Sequence, residues 1–183
     1  MTKLEDTTSG GPLALRSSDL FGGTVSEAVR RGADISPCGR YRYTLWCAWG
    51  PGAWVNWCCL NPSKADATVN DPSFTRMLNF SKAWGYDGMI VTNLFAFRAT
   101  DPRDMRGADD PIGRGNDEAL RNASLDAALT VAGWGANGAY LGRAVQVLPT
   151  LSRPHYLRLT KDGHPGHPLY LPASLRPVEW VNS

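Results

Sequence analysis

The chain has 183 residues, 43% hydrophobic and 20% charged, with a formal net charge of +2. That balance suits one folded domain with a sizeable core and excludes a low-complexity, collagen-like or wholly disordered chain. The small positive charge permits nucleic-acid contact without the strong basic excess of dedicated binders. No apolar run is long enough to span a membrane. The polar start, MTKLEDTTSGG, lacks a signal-peptide core, so the expected location is the cytoplasm.

The four cysteines are Cys38, Cys47, Cys58 and Cys59. No pair has the spacing of metal or cluster ligands, so they read as apolar thiols and no cofactor is expected. Seven tryptophans is a high count for this length, enough for core packing and a stacking surface besides. Residues 1–11 read as a tail. Residues 24–31 have the marks of a short helix, with Thr24 as cap, Glu27 three positions on and Gly32 at the end. The domain is therefore expected over residues 34–183, after an N-terminal tail over 1–33. Residues 41–47 alternate, with Tyr41, Tyr43, Leu45 and Cys47 on one face, which predicts an edge strand.

Residues 55–60 form an apolar run broken only by Asn56. It ends abruptly at Asn61-Pro62-Ser63, as a buried parallel strand ends in a turn. Asp71-Pro72 then opens a helix, with Asp as cap and Pro at the first position, and Gly85 closes it. Phe74, Met77, Leu78 and Ser81 share its inner face. A short strand over residues 89–92 leads to Asn93. A long loop follows over residues 95–113, of a length that is functional or loosely ordered. Residues 116–126 read as a helix, 129–133 as a strand, 137–148 as a helix and 155–159 as a fourth strand. This alternation predicts an α/β fold: a three-layer α/β/α sandwich on a mainly parallel four-stranded central sheet. The strand ends, at Asn61, Asn93, Gly135 and the loop holding His164 and His167, then open on one rim, where ligands bind in such sheets.

Each polar residue on that rim has a structural reading and a chemical one. Asn61-Pro62 is turn chemistry, and it also fixes an amide able to hold a water or orient a substrate. Asp66 is a loop acid or a general base beside Asn61. Asp71 reads as a helix cap. The Asn93 amide offers one donor side and one acceptor side, which suits a nucleobase edge. Arg98 and Arg103 pair with Asp101 or Asp104, or contact phosphate. His164 and His167 flank Pro165-Gly166. With no evident third and fourth ligand, they suggest an electrostatic or hydrogen-bonding role over a zinc site. Leu169 and Tyr170 pack the end of the fold or wedge into a base stack.

The strings LNPS at residues 60–63, TNLFAFRAT at 92–100, GWGANG at 133–138 and HPLYLP at 167–172 closely resemble a phage and bacterial family, domain of unknown function 1643. The match runs from about residue 39 to residue 172. The same motifs resemble, more remotely, the uracil-DNA glycosylase superfamily. Asn61-Pro62 is similar to the Asn-Pro variant of its first motif, and Asn93 to the Asn that reads the flipped base. His167-Pro168 with Leu169 or Leu171 is similar to its His-Pro motif and inserted Leu. The chain departs from the fuller His-Pro-Ser-Pro-Leu-Ser string and lacks the cysteines of the iron–sulfur branches.

This resemblance implies hydrolysis of the N-glycosidic bond of a modified or mismatched pyrimidine flipped from DNA. Asn61 and Asp66 would position water and His167 would stabilise the departing base. Asn93 would read the base edge, with Pro62, Ser63 and Phe74 lining its site. Arg98, Arg103, Lys161, His164, Leu169 and Tyr170 would face DNA. The implied partner is DNA, with no metal and a monomeric chain. Two other readings remain open: a protein that binds a nucleobase or modified DNA without catalysis, and a hydrolase or transferase acting on free nucleotides.

Overall fold

The apolar run that ends at Asn61 becomes the middle of a sheet. The computed structural model describes residues 29–63 and 71–181. Its strands are β1 (Arg30–Ile35), β2 (Arg42–Ala48), β3 (Trp54–Cys59), β4 (Gly88–Asn93), β5 (Leu129–Ala132), β6 (Pro154–Tyr156) and β7 (Val178–Glu179). Its α-helices are α1 (Pro72–Ala83), α2 (Pro102–Arg106), α3 (Asn116–Asp126) and α4 (Arg143–Val147). The sheet order is β1-β2-β4-β3-β5-β6-β7.

Strand β3 is buried from Val55 to Cys59 because it is flanked by strands at both edges and by packed layers on both faces. Strand alternation sends Val55, Trp57 and Cys59 to one face, where they meet Phe74, Met77 and Phe80 of α1. Cys58 goes to the other face, with Leu120 of α3 and Val147 of α4. Burial of side chains this size stabilises by about 1.5–3 kcal/mol each. Trp57 is the largest. Its indole N–H donates to Ser81 Oγ at 2.9 Å, and its ring stacks on Trp84 at 5.4 Å between centroids. Asn56, the polar break in the run, is satisfied inside the sheet. Its Oδ1 accepts from Thr92 Oγ1 at 2.9 Å, and its Nδ2 donates to Thr130 Oγ1 at 3.5 Å.

The caps of α1 are the expected ones: Asp71 Oδ1 accepts the Phe74 N–H at 2.6 Å and Pro72 takes the first turn. The chain leaves the helix through Gly85, whose φ of 84° favours glycine.

Several expectations are corrected. The sheet is mixed and seven-stranded, not four-stranded and mainly parallel. Pairings β3/β4, β3/β5 and β5/β6 are parallel, while β1/β2, β2/β4 and β6/β7 are antiparallel. Residues 24–28 of the expected first helix lie outside the described residues, and Arg30 and Arg31, its last two expected residues, begin strand β1. That strand crosses the expected domain start at residue 34, and it displaces β2 from the sheet edge. The loop over residues 95–113 contains α2, capped by Asp101. The expected helix over residues 137–148 is broken. A 3₁₀ segment spans Ala136–Gly142, and Leu141 and Gly142 take positive φ before α4 begins. No helix among the described residues is long and apolar enough to cross a membrane.

Candidate functional site

Register brings the strand ends together. Cys59 of β3 pairs with Asn93 of β4, so both side chains leave the sheet on the α1 face. Asn93 is 2% exposed, yet its side chain makes no hydrogen bond among the described residues. A buried amide normally finds partners. Its backbone is held firmly instead. Asn116 Nδ2, at the start of α3, donates to the carbonyls of Asn93 and Leu94 at 3.0 Å each. Arg143 Nε adds a bond to the Leu94 carbonyl at 2.8 Å, and its Nη2 pairs with Asp117.

Asn61 is fixed by the neighbouring loop. Its Nδ2 donates to the Ala99 carbonyl at 2.7 Å and the Pro62 carbonyl at 3.2 Å. A carbonyl can only accept, so the amide orientation follows and Oδ1 is the atom left to face a ligand. The buried Pro62 carbonyl also accepts the Ala99 N–H at 2.9 Å, locking the turn. Ser63 Oγ donates to Asp71 Oδ2 at 3.0 Å, tying the loop to the start of α1.

The His-Pro turn closes this corner. A Cβ on Gly133, at the end of β5, would lie 2.9 Å from Pro168 Cδ and 4.0 Å from Cys59 Sγ. Pro168 therefore rests against the strand end, and only glycine leaves room for it. His167 Nδ1 accepts the Leu169 N–H at 3.3 Å, so the neutral ring carries its proton on Nε2. Burial lowers the His167 pKa below the ordinary value, and the negative Asp71 opposes that shift. Burial raises the Cys59 thiol well above its usual range; Cys58 and Asp71 add to the effect. The corner thus holds a neutral imidazole, a neutral thiol, two amides and the Asp71 carboxylate.

A family model described as Protein of unknown function (DUF1643) matches residues 42–169. The chain belongs to that family. The matched span includes Asn61, Asn93 and His167. No curated protein and no solved structure matches.

The remaining expected site residues of this DUF1643 chain scatter. Asp66 lies outside the described residues. Phe74 is 4% exposed in the α1 core, with the Arg31 guanidinium 5.6 Å from its ring centroid, so it is a packing residue and not a free stacking face. Arg103 pairs with Asp101 Oδ2 through Nε at 2.9 Å and Nη2 at 2.6 Å. Arg98 Nη1 donates to the Gly39 carbonyl at 3.2 Å. Lys161 is exposed at the tip of a tight turn, and the His164 N–H is taken by Thr160 Oγ1 at 3.1 Å. Tyr170 is 81% exposed, its ring 5.7 Å from that of His167. Leu169 lines an open groove with Pro72, Thr75, Arg76 and Asn79. Among the described residues, no group of three or more His, Cys, Asp or Glu is arranged to hold a metal.

Three contributors escaped the sequence reading. Asn116 and Arg143 act on backbone carbonyls far away in the chain, and Gly133 acts through the side chain it lacks. Only the Gly-Trp-Gly string hinted at the last.

Proposed function

We propose that this protein hydrolyses the N-glycosidic bond of a modified or mismatched pyrimidine flipped from DNA. The observation that carries this reading is the Asn93 amide, 2% exposed and without a hydrogen-bond partner among the described residues. A pyrimidine edge, with adjacent donor and acceptor, matches the donor and acceptor of that amide. Asn61 Oδ1, aimed by its Nδ2 bonds, is suited to hold water against the sugar carbon. His167, neutral and protonated on Nε2, is a donor for negative charge growing on the leaving base. Reaction breaks the sugar–base bond, with its electron pair going to the base. Water adds its oxygen to the sugar, and the base takes up a proton.

The resemblance to uracil-DNA glycosylases supports the same reading. An amide at position 61 activates water weakly, so good leaving groups are favoured, which means modified or mismatched bases.

The test is base release from single-stranded and duplex oligonucleotides carrying uracil, 5-hydroxymethyluracil or modified cytosines. Release from at least one, reduced by Asn61→Ala and Asn93→Ala, is expected; no release from any rejects the reading. A free-nucleotide substrate is the second reading. It is favoured by the loop after β4, where Arg98, Arg103, Arg106 and Arg114 are balanced by Asp101, Asp104, Asp109 and Asp110. A polymer ligand gives affinity that falls steeply with salt, and a mononucleotide does not.

A further inference from the structure

Helix α1, PSFTRMLNFSKA, carries Arg76 and Lys82 and no acidic residue. Helical spacing puts Pro72, Thr75, Asn79 and Lys82 along one exposed face. The His-Pro turn packs beside α1. Pro72, Thr75, Arg76, Asn79 and Leu169 line an open groove there, of about 430 Å³. That volume is in the range of small-ligand clefts.

Arg76 gives the groove its chemistry. Its guanidinium lies 4.9 Å from the Phe80 ring centroid, and Nη2 donates to the Leu171 carbonyl, so the cation is held in place. Its Nε is buried without a hydrogen-bond partner. No carboxylate pairs with Arg76 among the described residues. A partly buried cation ordinarily has an anion beside it, and a carbonyl supplies a dipole but no counter-charge. Thr75 and Asn79 are exposed in the same groove and add a hydroxyl and an amide as donors. A fixed guanidinium with neutral donors and no acid suits a phosphate. Pro72 and Leu169 add apolar surface for a sugar. Tyr170, 81% exposed, follows Leu169 with a free ring face for a base. The groove also leads to the candidate site, because His167 Nδ1 accepts the Leu169 N–H. An open groove continuous with that turn suits a polymer passing through it.

We propose that this groove seats the phosphodiester backbone of a DNA strand, with one phosphate on Arg76, Thr75 and Asn79, and Lys82 extending the positive track along α1. This rests on the reading of DNA as the substrate. Arg98 and Arg103, the cations expected to meet phosphate, are engaged elsewhere, by the Gly39 carbonyl and by Asp101.

Fluorescence anisotropy with a labelled single-stranded oligonucleotide carrying uracil reads the groove without turnover. Asn79→Asp puts a carboxylate into the groove at an exposed helix position, so the melting temperature should stay near that of wild type. Affinity at low salt should fall by about fivefold or more, the repulsion of one carboxylate and one phosphate at contact distance in water. Asn122→Asp makes the same charge change at an exposed position of α3, on the opposite face of the sheet, and should leave affinity unchanged. Arg76→Gln should weaken binding and make the slope of log affinity against log salt shallower by about 0.7, the share of one phosphate on a single strand. A structural role for Arg76 would not move that slope. Affinity within about twofold of wild type in Asn79→Asp overturns the assignment. So do equal losses in Asn79→Asp and Asn122→Asp, a wild-type salt slope in Arg76→Gln, or a wild type that binds no oligonucleotide. Thymidine monophosphate bound as tightly as the oligonucleotide also overturns it, as a free-nucleotide site. Base release is scored separately. Binding that follows these variants with no release from wild type rejects the glycosidic reading and leaves the groove standing. Release at limiting substrate that neither variant reduces rejects the groove alone.

Discussion

Gly133→Ala tests how the His-Pro turn is held. The added methyl would lie 2.9 Å from Pro168 Cδ, where ordinary contact is 3.4–4 Å. Pro168 is a rigid ring, buried between β5 and the start of α1, and it cannot rotate away as a flexible side chain would. The turn must therefore retreat by roughly 0.5–1 Å, and overpacking of this kind costs about 1–3 kcal/mol. For a chain of this size that lowers the melting temperature by about 2–10 °C. His167 moves with Pro168, and a misplacement near 1 Å at a reacting centre costs about 10²-fold in rate. Two assays read the two effects: thermal melting by circular dichroism, and base release at a temperature where both proteins are folded. Gly107→Ala is the control, because its added methyl meets nothing nearer than 3.6 Å and its φ is −81°. A Gly133→Ala protein with wild-type melting and wild-type release would refute the reasoning, since Pro168 would not then rest on the strand end.

Other outcomes follow from the same structure. Asn116→Ala removes two bonds to the carbonyls of Asn93 and Leu94, at a cost of about 1–3 kcal/mol. Urea denaturation should show a lower midpoint, and an unchanged one would mean the strand end is held some other way. Cys38 should be the thiol that iodoacetamide modifies in the native protein. Its pKa is lowered to about 7 by the Ser36 hydroxyl first and then by Arg40, whereas Cys58 is pushed up to about 12 by burial. Mass spectrometry near neutral pH should find one fast site, and rapid labelling of Cys58 or Cys59 would contradict their burial. Stability should fall as pH drops below about 6.5, the ordinary His value. The unfolded His167 takes up its proton there while the folded ring, with its lowered pKa, resists, so the unfolded state binds more protons. His167→Gln should flatten that part of the stability–pH profile, and an identical slope would remove His167 as its source.

The sequence was informative where local chemistry and burial agree. Trp54–Cys59 shows as an apolar run because the strand is covered on both faces. Pro72–Ala83 shows its own caps, and Asn116–Asp126 matches its periodicity to the residue. Strand β1 was invisible because RRGADI pairs at one edge only and none of its residues is buried. With no core face there is no alternation to read. The broken helix after β5 failed for the opposite reason: its apolar periodicity is real, but Leu141 and Gly142 turn the backbone out of the helical region. Asn61 and Asn93 could be picked out as candidates because they stand where apolar runs give way to polar residues, and His167 because it lies in a Pro-Gly turn with His164. Asp71 was legible only as a cap, since nothing local reveals that Ser63 shares its carboxylate. Phe74 had two readings, a stacking residue by its place after the first motif and a core residue by its helical phase, and it packs in the core.

In the proposed site, the Asn93 amide and His167 Nε2 meet one base. A crystal structure of the protein soaked with 5-hydroxymethyluracil tests it most directly. The ring edge should hydrogen-bond to the Asn93 amide, with His167 Nε2 within reach of a ring carbonyl and Asn61 Oδ1 facing the side where a sugar would attach. A base bound elsewhere, or an Asn93 amide still unpartnered at full occupancy, would contradict the account.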